Sequence, residues 1–494
     1  MQLEPERCWR AAMAHDRRFD GRFFIGVATT GVYCRPICSV SPPRRKNVRF
    51  YPSAAAAEEA GFRPCRRCRP ETAPGTPAWL GSSTTVSRAL RLIAEGALDA
   101  GGVNDLAERL GIGSRHLRRL FAEQLGASPL SVARTRRVHF ARRMLDETAL
   151  PISQVALGSG FGSLRSFNQA LRTTFGRTPT ELRRQTARRR RSSAEGEIAL
   201  RLPYRPPYDW AAVLAFLAPR AIPGVECIVE DRYRRLIERD GSSALLEVSA
   251  EPDSCQLILR LQLDDPGGLM LAVRCTRRLF DLGADPLQIE TDLADDPELA
   301  RRIQARPGVR VPGAWDAFEV AVRAILGQQV TVKGATTLAG RLVQAFGKPV
   351  ERADALPLTH LFPRPEVLAR ADLASIGLPS VRAEAIRGLA QAVTAGRLPL
   401  DGTLELEDAL ARLQQLPGIG EWSAHYIAMR ALGEPDAFPS GDLGLRKALA
   451  CGTKPITSSA LRSRAERWRP WRAYAAMWLW LGEARDRPRP RGSS

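Results

Sequence analysis

The chain has 494 residues, of which 44% are hydrophobic, so it can form three or four domains with apolar cores. Its net charge of +20 and its isoelectric point near 10.4 indicate nucleic acid or another anionic surface as the partner. No apolar run reaches transmembrane length, and the polar first 16 residues lack a signal-peptide core, so we expect a cytoplasmic protein that does not bind a membrane.

The positive charge is concentrated in the N-terminal part of the chain. Residues 1–200 hold 34 Lys and Arg against 17 Asp and Glu, whereas residues 201–494 hold 39 against 36. A genome that favours arginine codons would raise the charge along the whole chain, so it does not explain this asymmetry. The N-terminal part is therefore predicted to be the electrostatic anchor on DNA.

Residues 1–76 contain two close pairs of cysteines separated by 26 residues. In a cytosolic chain such pairs favour a metal over disulfides, and four thiolates match the tetrahedral coordination of zinc. A segment of this size has too small a core to be stable without such a cross-link. The sequence predicts one zinc ion with four cysteine ligands: Cys34, Cys38, Cys65 and Cys68.

The residues around these cysteines resemble the methylphosphotriester domain of the Ada family. The resemblance is carried by residues 29–38 (TTGVYCRPIC) and 60–68 (AGFRPCRRC). It implies that the zinc-bound thiolate of Cys34 is also a nucleophile, which accepts a methyl group from a methylphosphotriester in DNA. A purely structural zinc knuckle is the alternative.

Zinc would keep the Cys34 thiolate deprotonated at neutral pH. Four thiolates on one zinc ion carry a net charge of about −2, which repels a phosphodiester but admits a neutral methylated triester. Methyl transfer removes one negative charge, so the affinity for DNA should rise. This would be a single-use switch without turnover.

Residues 80–187 have apolar residues at helical spacing and are predicted to be all-helical. Residues 103–121 and 151–172 each carry a glycine-containing turn between two such runs, which is typical of a helix-turn-helix. The pair resembles the AraC-type DNA-binding domain, and a basic helical bundle is the alternative. The second helix of each motif would present arginines to DNA, namely Arg115, Arg118, Arg119 and Arg165.

Residues 188–197 are predicted to form a basic linker, because four arginines precede a Ser, Ala and Gly-containing stretch. Residues 198–305 then change to alternating apolar patterns, which predict a small α+β subdomain with an antiparallel sheet. It resembles the N-terminal subdomain of AlkA-type glycosylases. The predicted strands are 198–202, 244–248 and 256–261, and the predicted helices are 209–217 and 270–280.

Residues 306–485 are predicted to be helical, and 486–494 to form a disordered tail. Residues 315–330 resemble the first core helix of the same glycosylases and the wedge that follows it, which fills the gap left by a base that leaves the duplex. Some relatives have leucine where this chain has Gln329. A polar wedge still fills space and can hydrogen-bond to the orphan base. Residues 371–377 and 382–389 are predicted to be scaffold helices.

Residues 416–420 (LPGIG) predict a hairpin, because Pro417 and the two glycines cannot continue a helix. The helix predicted at 421–432 would begin with its N–H groups directed out of this hairpin. Gly418 and Gly420 have no side chain to block an approaching phosphate, so the segment suits a DNA backbone. A plain turn is the alternative.

The hairpin and the segment up to Asp442 resemble the helix-hairpin-helix Gly-Pro-Asp module of DNA base-excision glycosylases, in particular the AlkA-type 3-methyladenine DNA glycosylases. The match extends over LPGIGEWSAHYIAMRAL (416–432) and DAFPSGDLGL (436–445). It implies base flipping and hydrolysis of the N-glycosidic bond of an alkylated purine such as 3-methyladenine or 7-methylguanine.

Such a base is cationic, so the bond is already weak and the enzyme mainly needs an anion near C1′ and a water. Asp442 is the expected anion, since a helix N-terminus favours its ionised form; a helix cap is the alternative role. The pocket should stack aromatic rings on the cation, at about 0.5–2 kcal/mol per ring. The candidates are Trp422, Tyr426 and Trp480, with core packing as the alternative for each.

Some family features are missing from the sequence. Lyase-type relatives have a lysine where this chain has Trp422, so no Schiff base is expected. Relatives with an iron–sulfur cluster have four cysteines after the catalytic aspartate, but here only Cys451 follows, so no cluster and no other glycosylase cofactor are expected. No Pro-Cys-His-Arg methyltransferase motif is present, so the O6-methylguanine half of the Ada protein is missing.

The sequence thus predicts a multidomain protein with a small zinc-bound α+β domain, an all-α double helix-turn-helix domain, a small antiparallel α+β subdomain and an all-α helix-hairpin-helix glycosylase domain. The first hypothesis is a repair enzyme and regulator that acts on damaged double-stranded DNA, binds promoters and contacts RNA polymerase at the nucleoid. The second is a transcription regulator with an inactive glycosylase body. The third is a glycosylase whose N-terminal half only tethers it to DNA.

Overall fold

The computed structural model describes residues 4–41, 43–75, 77, 84–186, 197–239, 242–262, 268–351, 356–450 and 454–485. The predicted tail, Cys451 and almost all of the predicted linker lie outside these residues. The chain divides into two compact units. The first comprises Met1–Pro206, Arg239–Arg277 and Leu282–Asp285, and the second comprises Pro207–Glu238, Arg278–Asp281 and Pro286–Ser494.

The first unit begins with a small mixed sheet that carries the predicted zinc ligands. Strand β1 pairs antiparallel with β2 and β3, and β2 pairs parallel with β4. Apolar side chains of the strands pack with Cys8 and the cysteine pairs into a small core. The elements are α1 (Pro5–Met13), β1 (Phe24–Val27), β2 (Val32–Cys34), β3 (Val48–Tyr51), α2 (Ala54–Glu59) and β4 (Arg63–Pro64).

Eight helices follow, and they contain both predicted helix-turn-helix motifs. The turns contain Gly111 at φ +68° and Gly160 at φ +77°, a conformation that favours glycine. Helices α5 and α6 form the first motif, α8 and α9 form the second, and α7 joins them. The elements are α3 (Thr84–Ala94), α4 (Ala97–Ala100), α5 (Val103–Arg109), α6 (Ser114–Leu125), α7 (Pro129–Glu147), α8 (Ile152–Gly158), α9 (Leu164–Phe175) and α10 (Pro179–Thr186).

A buried carboxylate on α2 connects the small sheet to α7. Glu58 accepts a hydrogen bond from the Tyr33 hydroxyl at 2.9 Å and from the Thr135 hydroxyl at 2.7 Å, and it lies 3.1 Å from Nε2 of His139. Burial opposes its ionisation, but these hydrogen bonds outweigh burial and hold the pKa of Glu58 below its ordinary 4.5. The strand that ends at Cys34 is thereby fixed to the helix that joins the two motifs.

The next part of the chain confirms the three predicted strands and both predicted helices. Strand β9 pairs antiparallel with β5 and β8 in the first unit, and β6 and β7 form an unpredicted antiparallel hairpin in the second. The elements are β5 (Glu197–Pro203), α11 (Trp210–Leu217), β6 (Glu226–Val229), β7 (Arg232–Arg239), β8 (Ser242–Glu251), β9 (Gln256–Gln262), α12 (Leu269–Leu279), α13 (Pro286–Leu293) and α14 (Pro297–Ala305).

The remainder of the second unit is mainly helical and packs around α15, which is buried on almost every side. The helix predicted at 371–377 is wrong: this segment has only a 3-10 turn at Leu373–Ile376, which ends at Gly377 with φ +80°. The elements are α15 (Ala317–Leu326), α16 (Val332–Phe346), β10 (Lys348–Pro349), β11 (His360–Leu361), α17 (Pro365–Leu368), α18 (Ser380–Thr394), α19 (Leu406–Gln414), α20 (Glu421–Arg430), α21 (Leu443–Ala448), α22 (Ser458–Ala465) and α23 (Arg472–Arg485).

Buried charges on α15 are paired with the β6–β7 hairpin. Glu319 forms an ion pair with Arg235 and lies 3.0 Å from Arg323, which in turn lies 2.8 Å from Glu226. A buried charge without a partner is strongly destabilising, so the four groups must fold together. This network fixes α15 and therefore the loop that follows it.

A search of the described residues finds no helix that is both long enough and apolar enough to cross a membrane.

We expect Glu58→Gln to reduce the free energy of unfolding at pH 7, by about 1–3 kcal/mol, because the amide is a weaker acceptor for the three hydrogen bonds. A carboxyl whose pKa falls on folding stabilises above its unfolded pKa, near 4.5, and this contribution is lost as the pH falls through the lower folded pKa. The difference from wild type should therefore shrink at acidic pH. Calorimetry of the full chain at pH 7 and below pH 4.5 measures this difference in the free energy of unfolding. Glu108→Gln, at an exposed position, is the control. An equal loss at both pH values would contradict this account.

Candidate functional site

The predicted hairpin lies between α19 and α20. Gly418 has φ +82°, and a Cβ built there would lie 2.6 Å from Cβ of Ala385 on α18, so a side chain does not fit. Gly420 is the N-cap residue of α20; no side chain caps this helix, and a Cβ at Gly420 would have no atom within 4 Å. The backbone N–H groups of the first turn of α20 are therefore open to an approaching anion.

The segment after α20 is held in place by a histidine of that helix. The backbone N–H of Phe438 donates to Nδ1 of His425 at 3.2 Å. Burial, together with the positive charge of Arg472, lowers the pKa of His425 to about 4, so its ring is a neutral acceptor at pH 7. Four residues further on, Asp442 is the N-cap residue of α21, and its Oδ1 accepts from the backbone N–H of Leu445 at 3.0 Å. Asp442 is thus a helix cap, as the alternative reading predicted.

The same carboxylate also binds two indole rings. Nε1 of Trp422 donates to Oδ2 of Asp442 at 3.0 Å, and Nε1 of Trp480 donates to Oδ1 at 2.9 Å. Among the described residues, no lysine, arginine or histidine forms an ion pair with this half-buried group. Neutral donors orient a carboxylate without cancelling its charge, so an anion with a fixed direction results.

The predicted aromatic residues form one continuous group next to this carboxylate. The rings of Trp422 and Tyr426 are stacked, with centroids 5.2 Å apart and planes at 14°, as expected for positions i and i+4 of a helix. Trp480 lies 6.4 Å from Tyr426. Phe216, on α11, lies 6.2 Å from Trp480 and was not predicted, since no local pattern connects residues so far apart in the chain.

Two arginines next to these rings were also missed. The guanidinium of Arg220 lies 3.9 Å from the centroid of Phe216, and that of Arg430 lies 4.7 Å from the same ring. Arg430 also donates to the Tyr426 hydroxyl at 2.9 Å. Its spacing of four residues from Tyr426 and eight from Trp422 was a signal in the sequence, because these positions share one face of α20.

The predicted wedge lies in the loop between α15 and α16. Gln329 is exposed and has φ +55°, an uncommon conformation for a residue other than glycine. The preceding Gln328 connects this loop to the hairpin, because its Nε2 donates to the Gly418 carbonyl at 2.8 Å and to the Ser423 hydroxyl at 2.9 Å. This residue was not predicted. The loop and the hairpin are therefore held together as one surface.

The four predicted zinc ligands lie together in the first unit. The sulfurs of Cys34, Cys38, Cys65 and Cys68 are all within 4.8 Å of one another. Four thiols at this separation fit one zinc ion. The backbone N–H of Arg35 donates to the Cys68 sulfur at 3.3 Å, which orients that ligand.

The other cysteines that the structure describes are not part of this cluster. Cys8 is buried, and burial raises its pKa to about 11, so it remains a thiol. None of Cys227, Cys255 and Cys275 belongs to a metal-binding group among the described residues.

The predicted DNA-contacting arginines are exposed on the second helix of each motif. Arg115, Arg118 and Arg119 lie on α6, and Arg165 lies in the first turn of α9. One of them, Arg119, has its Nη2 3.1 Å from Nδ1 of His116. All four side chains are accessible to a ligand.

Four family models match the chain in succession. Residues 7–71 match the metal binding domain of Ada, 106–185 a helix-turn-helix domain, 199–316 the AlkA N-terminal domain, and 322–472 the HhH-GPD superfamily of base excision DNA repair proteins. These matches confirm the predicted families, and with the described elements they confirm the predicted multidomain fold class.

Relatives match over different parts of the chain. The "Probable bifunctional transcriptional activator/DNA repair enzyme AlkA" of Mycobacterium tuberculosis is 45% identical over 97% of this chain and 97% of its own length. "DNA-3-methyladenine glycosylase 2" of Escherichia coli is 38% identical over 57% of this chain and 96% of its own length. The solved structure of a 3-methyladenine DNA-glycosylase from Archaeoglobus fulgidus, 23% identical, shares the fold with a TM-score of 0.51 over 57% of this chain and 98% of its own.

With 45% identity along nearly the whole length of both proteins, the chain belongs to the AlkA family of bifunctional transcriptional activators and DNA repair enzymes, which joins an Ada metal-binding domain and a helix-turn-helix domain to a DNA glycosylase.

Proposed function

We propose that this protein is a monofunctional DNA glycosylase that removes alkylated purines, of the 3-methyladenine and 7-methylguanine type, and that it also senses methylphosphotriesters and activates transcription. The observation that carries the glycosylase proposal is the Asp442 carboxylate, bound by the indoles of Trp422 and Trp480 at the edge of a stacked aromatic group. The name of the Escherichia coli relative supports the substrate class.

The proposed domain boundaries follow the sequence. Residues 1–76 form the methyl-acceptor domain, 80–187 the helix-turn-helix domain, 198–305 the α+β subdomain and 306–485 the glycosylase domain, with a linker at 188–197 and a tail at 486–494. The four family matches fall largely within these ranges and support the order of the domains.

In the proposed reaction, the hairpin binds the DNA backbone through N–H groups near Gly418 and Gly420, and Gln329 fills the gap left by the flipped base. Trp422, Tyr426 and Trp480 line the pocket of the extruded purine, and an aromatic surface favours this base when it is cationic. The surface formed by the hairpin and the wedge loop keeps the two DNA contacts at a constant separation.

Asp442 acts on the sugar. As the glycosidic bond breaks, positive charge develops at C1′, and a carboxylate already oriented by two N–H donors stabilises it without reorganisation. Because both oxygens accept hydrogen bonds from protein donors, electrostatic stabilisation is favoured over acid catalysis by Asp442. An indole forms no Schiff base, so Trp422 at the lysine position of lyases supports hydrolysis alone.

In the proposed methyl transfer, the Cys34 sulfur attacks the methyl carbon of a neutral phosphotriester. The S–C bond forms as the C–O bond breaks, and the phosphate leaves as an ordinary diester that carries the negative charge. Zinc bound by Cys34, Cys38, Cys65 and Cys68 would keep the sulfur in its thiolate form and balance its charge. The match to the metal binding domain of Ada supports this role.

The helix-turn-helix motifs would bind promoter DNA through Arg115, Arg118, Arg119 and Arg165, and bound protein would recruit RNA polymerase. The name of the Mycobacterium tuberculosis relative supports transcriptional activation. A protein with these partners would work in the cytoplasm at the nucleoid. The alternative hypothesis is a regulator with an inactive glycosylase body. It is not favoured, because the chain retains the carboxylate and all of its aromatic partners.

Asp442→Asn should reduce release of 3-methyladenine at least about 100-fold, because the charge that stabilises the transition state is lost while the hydrogen-bond geometry is largely kept. Single-turnover release of base from methylated DNA measures this, and affinity for abasic-site DNA should remain. Asp408→Asn, an exposed carboxylate on α19, is the matched control. Undiminished release by the Asp442→Asn variant would exclude the proposed role of the carboxylate.

Cys34→Ser should abolish the transfer of radioactive methyl from methylphosphotriester DNA to the protein and leave base release unchanged, because the two reactions use different residues. Cys8→Ala, which removes a buried thiol outside the cluster, should accept methyl groups normally. Zinc content should be measured for each protein. If wild type accepts no methyl group, the N-terminal half acts only as a tether to DNA.

Gln328→Ala should weaken binding to abasic-site DNA by about tenfold, since the loss of two hydrogen bonds at about 0.5–1.5 kcal/mol each separates the wedge loop from the hairpin. Fluorescence anisotropy with a labelled duplex measures the affinity. Gln391→Ala, an exposed glutamine on α18, is the control. Equal affinities for the two variants would mean that the connection has no function in DNA binding.

A further inference from the structure

Arg430 is a buried cation beside the candidate base pocket, and the mechanism above does not use it. Its side chain is 4% exposed, and burial of a guanidinium requires that its N–H groups be bonded. Nε donates to the carbonyl of Pro312, Nη2 donates to that of Gly313 at 3.1 Å, and Nη1 donates to the Tyr426 hydroxyl at 2.9 Å. Two backbone carbonyls thus fix the guanidinium, and the third contact is directed at one pocket residue.

This contact determines the direction of the Tyr426 hydroxyl hydrogen. A guanidinium has no acceptor, so the phenol oxygen must accept in this bond, and its own hydrogen is left to donate to another group. Burial opposes ionisation of Tyr426, but the nearby charges of Arg430, Arg220 and Arg323 outweigh burial and hold the pKa of Tyr426 below its ordinary value. A phenol polarised in this way is a stronger hydrogen-bond donor.

Groups of opposite charge contact the same aromatic group. Asp442, which accepts from Trp422 and Trp480, is an anion on the side assigned to the sugar. Arg430, which donates to the Tyr426 hydroxyl, is a cation beside the stacked rings assigned to the base. Such an arrangement favours the movement of electrons from the sugar to the base.

We propose that Arg430 is a positioning residue of the glycosylase: it directs the Tyr426 hydroxyl to donate a hydrogen bond to the departing base, with the largest effect on a base that leaves with negative charge. This inference rests on the proposed glycosylase function and on the assignment of Trp422 and Tyr426 to the base pocket.

The effect of the Tyr426 hydroxyl should depend on the charge that the base carries when it leaves. When the C1′–N bond breaks, both of its electrons pass to the base nitrogen. A cationic base such as 7-methylguanine leaves neutral and needs little help, whereas a neutral purine leaves as an anion that a polarised donor stabilises. Water then adds its hydroxyl to C1′ and gives its remaining proton to the solvent, and a base that left as an anion takes up a proton from the solvent.

The test compares Tyr426→Phe and Arg430→Gln in the full chain, with single-turnover release of hypoxanthine, a neutral purine, and of 7-methylguanine from duplex DNA. Loss of a hydrogen bond to a charged group should slow release of hypoxanthine about 30-fold in both variants, and release of 7-methylguanine less than about threefold. The double variant should be no slower than the slower single one, because both substitutions remove the same interaction.

Arg220→Gln is the matched control, because it removes a guanidinium that also contacts the Phe216 ring without removing a bond to Tyr426. Its ratio of hypoxanthine to 7-methylguanine release should stay within about threefold of wild type, well below the loss expected from a charged hydrogen bond. If Arg220→Gln also slowed the release of hypoxanthine selectively, the slowing would be due to the general positive charge. That result would overturn the role of the Tyr426 hydroxyl.

A second measurement separates positioning from folding. The phenol pKa of Tyr426, followed by NMR of ring-labelled tyrosine, should be higher in Arg430→Gln than in wild type, and Arg430→Lys should restore part of the release of hypoxanthine. If Arg430→Gln does not fold, Tyr426→Phe decides alone: equal slowing of both bases overturns the inference. A wild-type protein that frees 7-methylguanine but not hypoxanthine also overturns it, whereas one that frees neither base refutes the proposed function itself.

Discussion

The structure of the candidate site depends on one carboxylate that is held firmly by neutral donors. An arginine or lysine partner would orient Asp442 equally well, but it would cancel the field that the proposed reaction needs at the sugar. Two indole N–H groups and one backbone N–H satisfy its oxygens instead. This requires the start of α20, the start of α21 and the interior of α23 to remain in fixed register. It also explains why Trp422 and Trp480 are half-buried: each ring has a face for stacking and an edge that binds the carboxylate.

The register of these helices depends in turn on buried charges elsewhere in the second unit. Glu319 and Arg323 on α15 are compensated by Glu226 and Arg235 of the β6–β7 hairpin. Pairs of this kind add little net stability, because desolvation offsets most of their attraction, but the loss of one partner is costly. They therefore specify a single position for α15, and the wedge loop begins where that helix ends. The hydrogen bonds of Gln328 then fix the hairpin relative to this loop.

Three of the site residues that the sequence predicted lie in one contiguous motif, whereas the predicted Trp480 and Gln329 lie outside it. Asp442, Trp422 and Tyr426 fall within about 20 residues, and the helical period alone places the two rings on one face. Phe216 could not be predicted in this way, because it comes from α11 and meets Trp480 only through tertiary packing. The erroneous helix at 371–377 has a similar cause. A Gly-Leu-Pro sequence ends the segment after a single 3-10 turn, and the spacing of apolar residues does not show where a helix ends. Arg430 was overlooked for a different reason: an arginine on a helix is normally a solvated residue, and only its carbonyl partners reveal that it is buried.

The two proposed chemistries make opposite use of charge, and the composition of the chain reflects this. In methyl transfer the thiolate of Cys34 loses its charge once, and weakened repulsion of DNA is the result. In base removal the charge of Asp442 must survive every turnover. The first 200 residues carry an excess of 17 positive charges, which attract any phosphate, whereas residues 201–494 carry an excess of only three. In the proposed function, the glycosylase part would therefore depend on directed contacts, through the hairpin N–H groups and the wedge, more than on bulk charge.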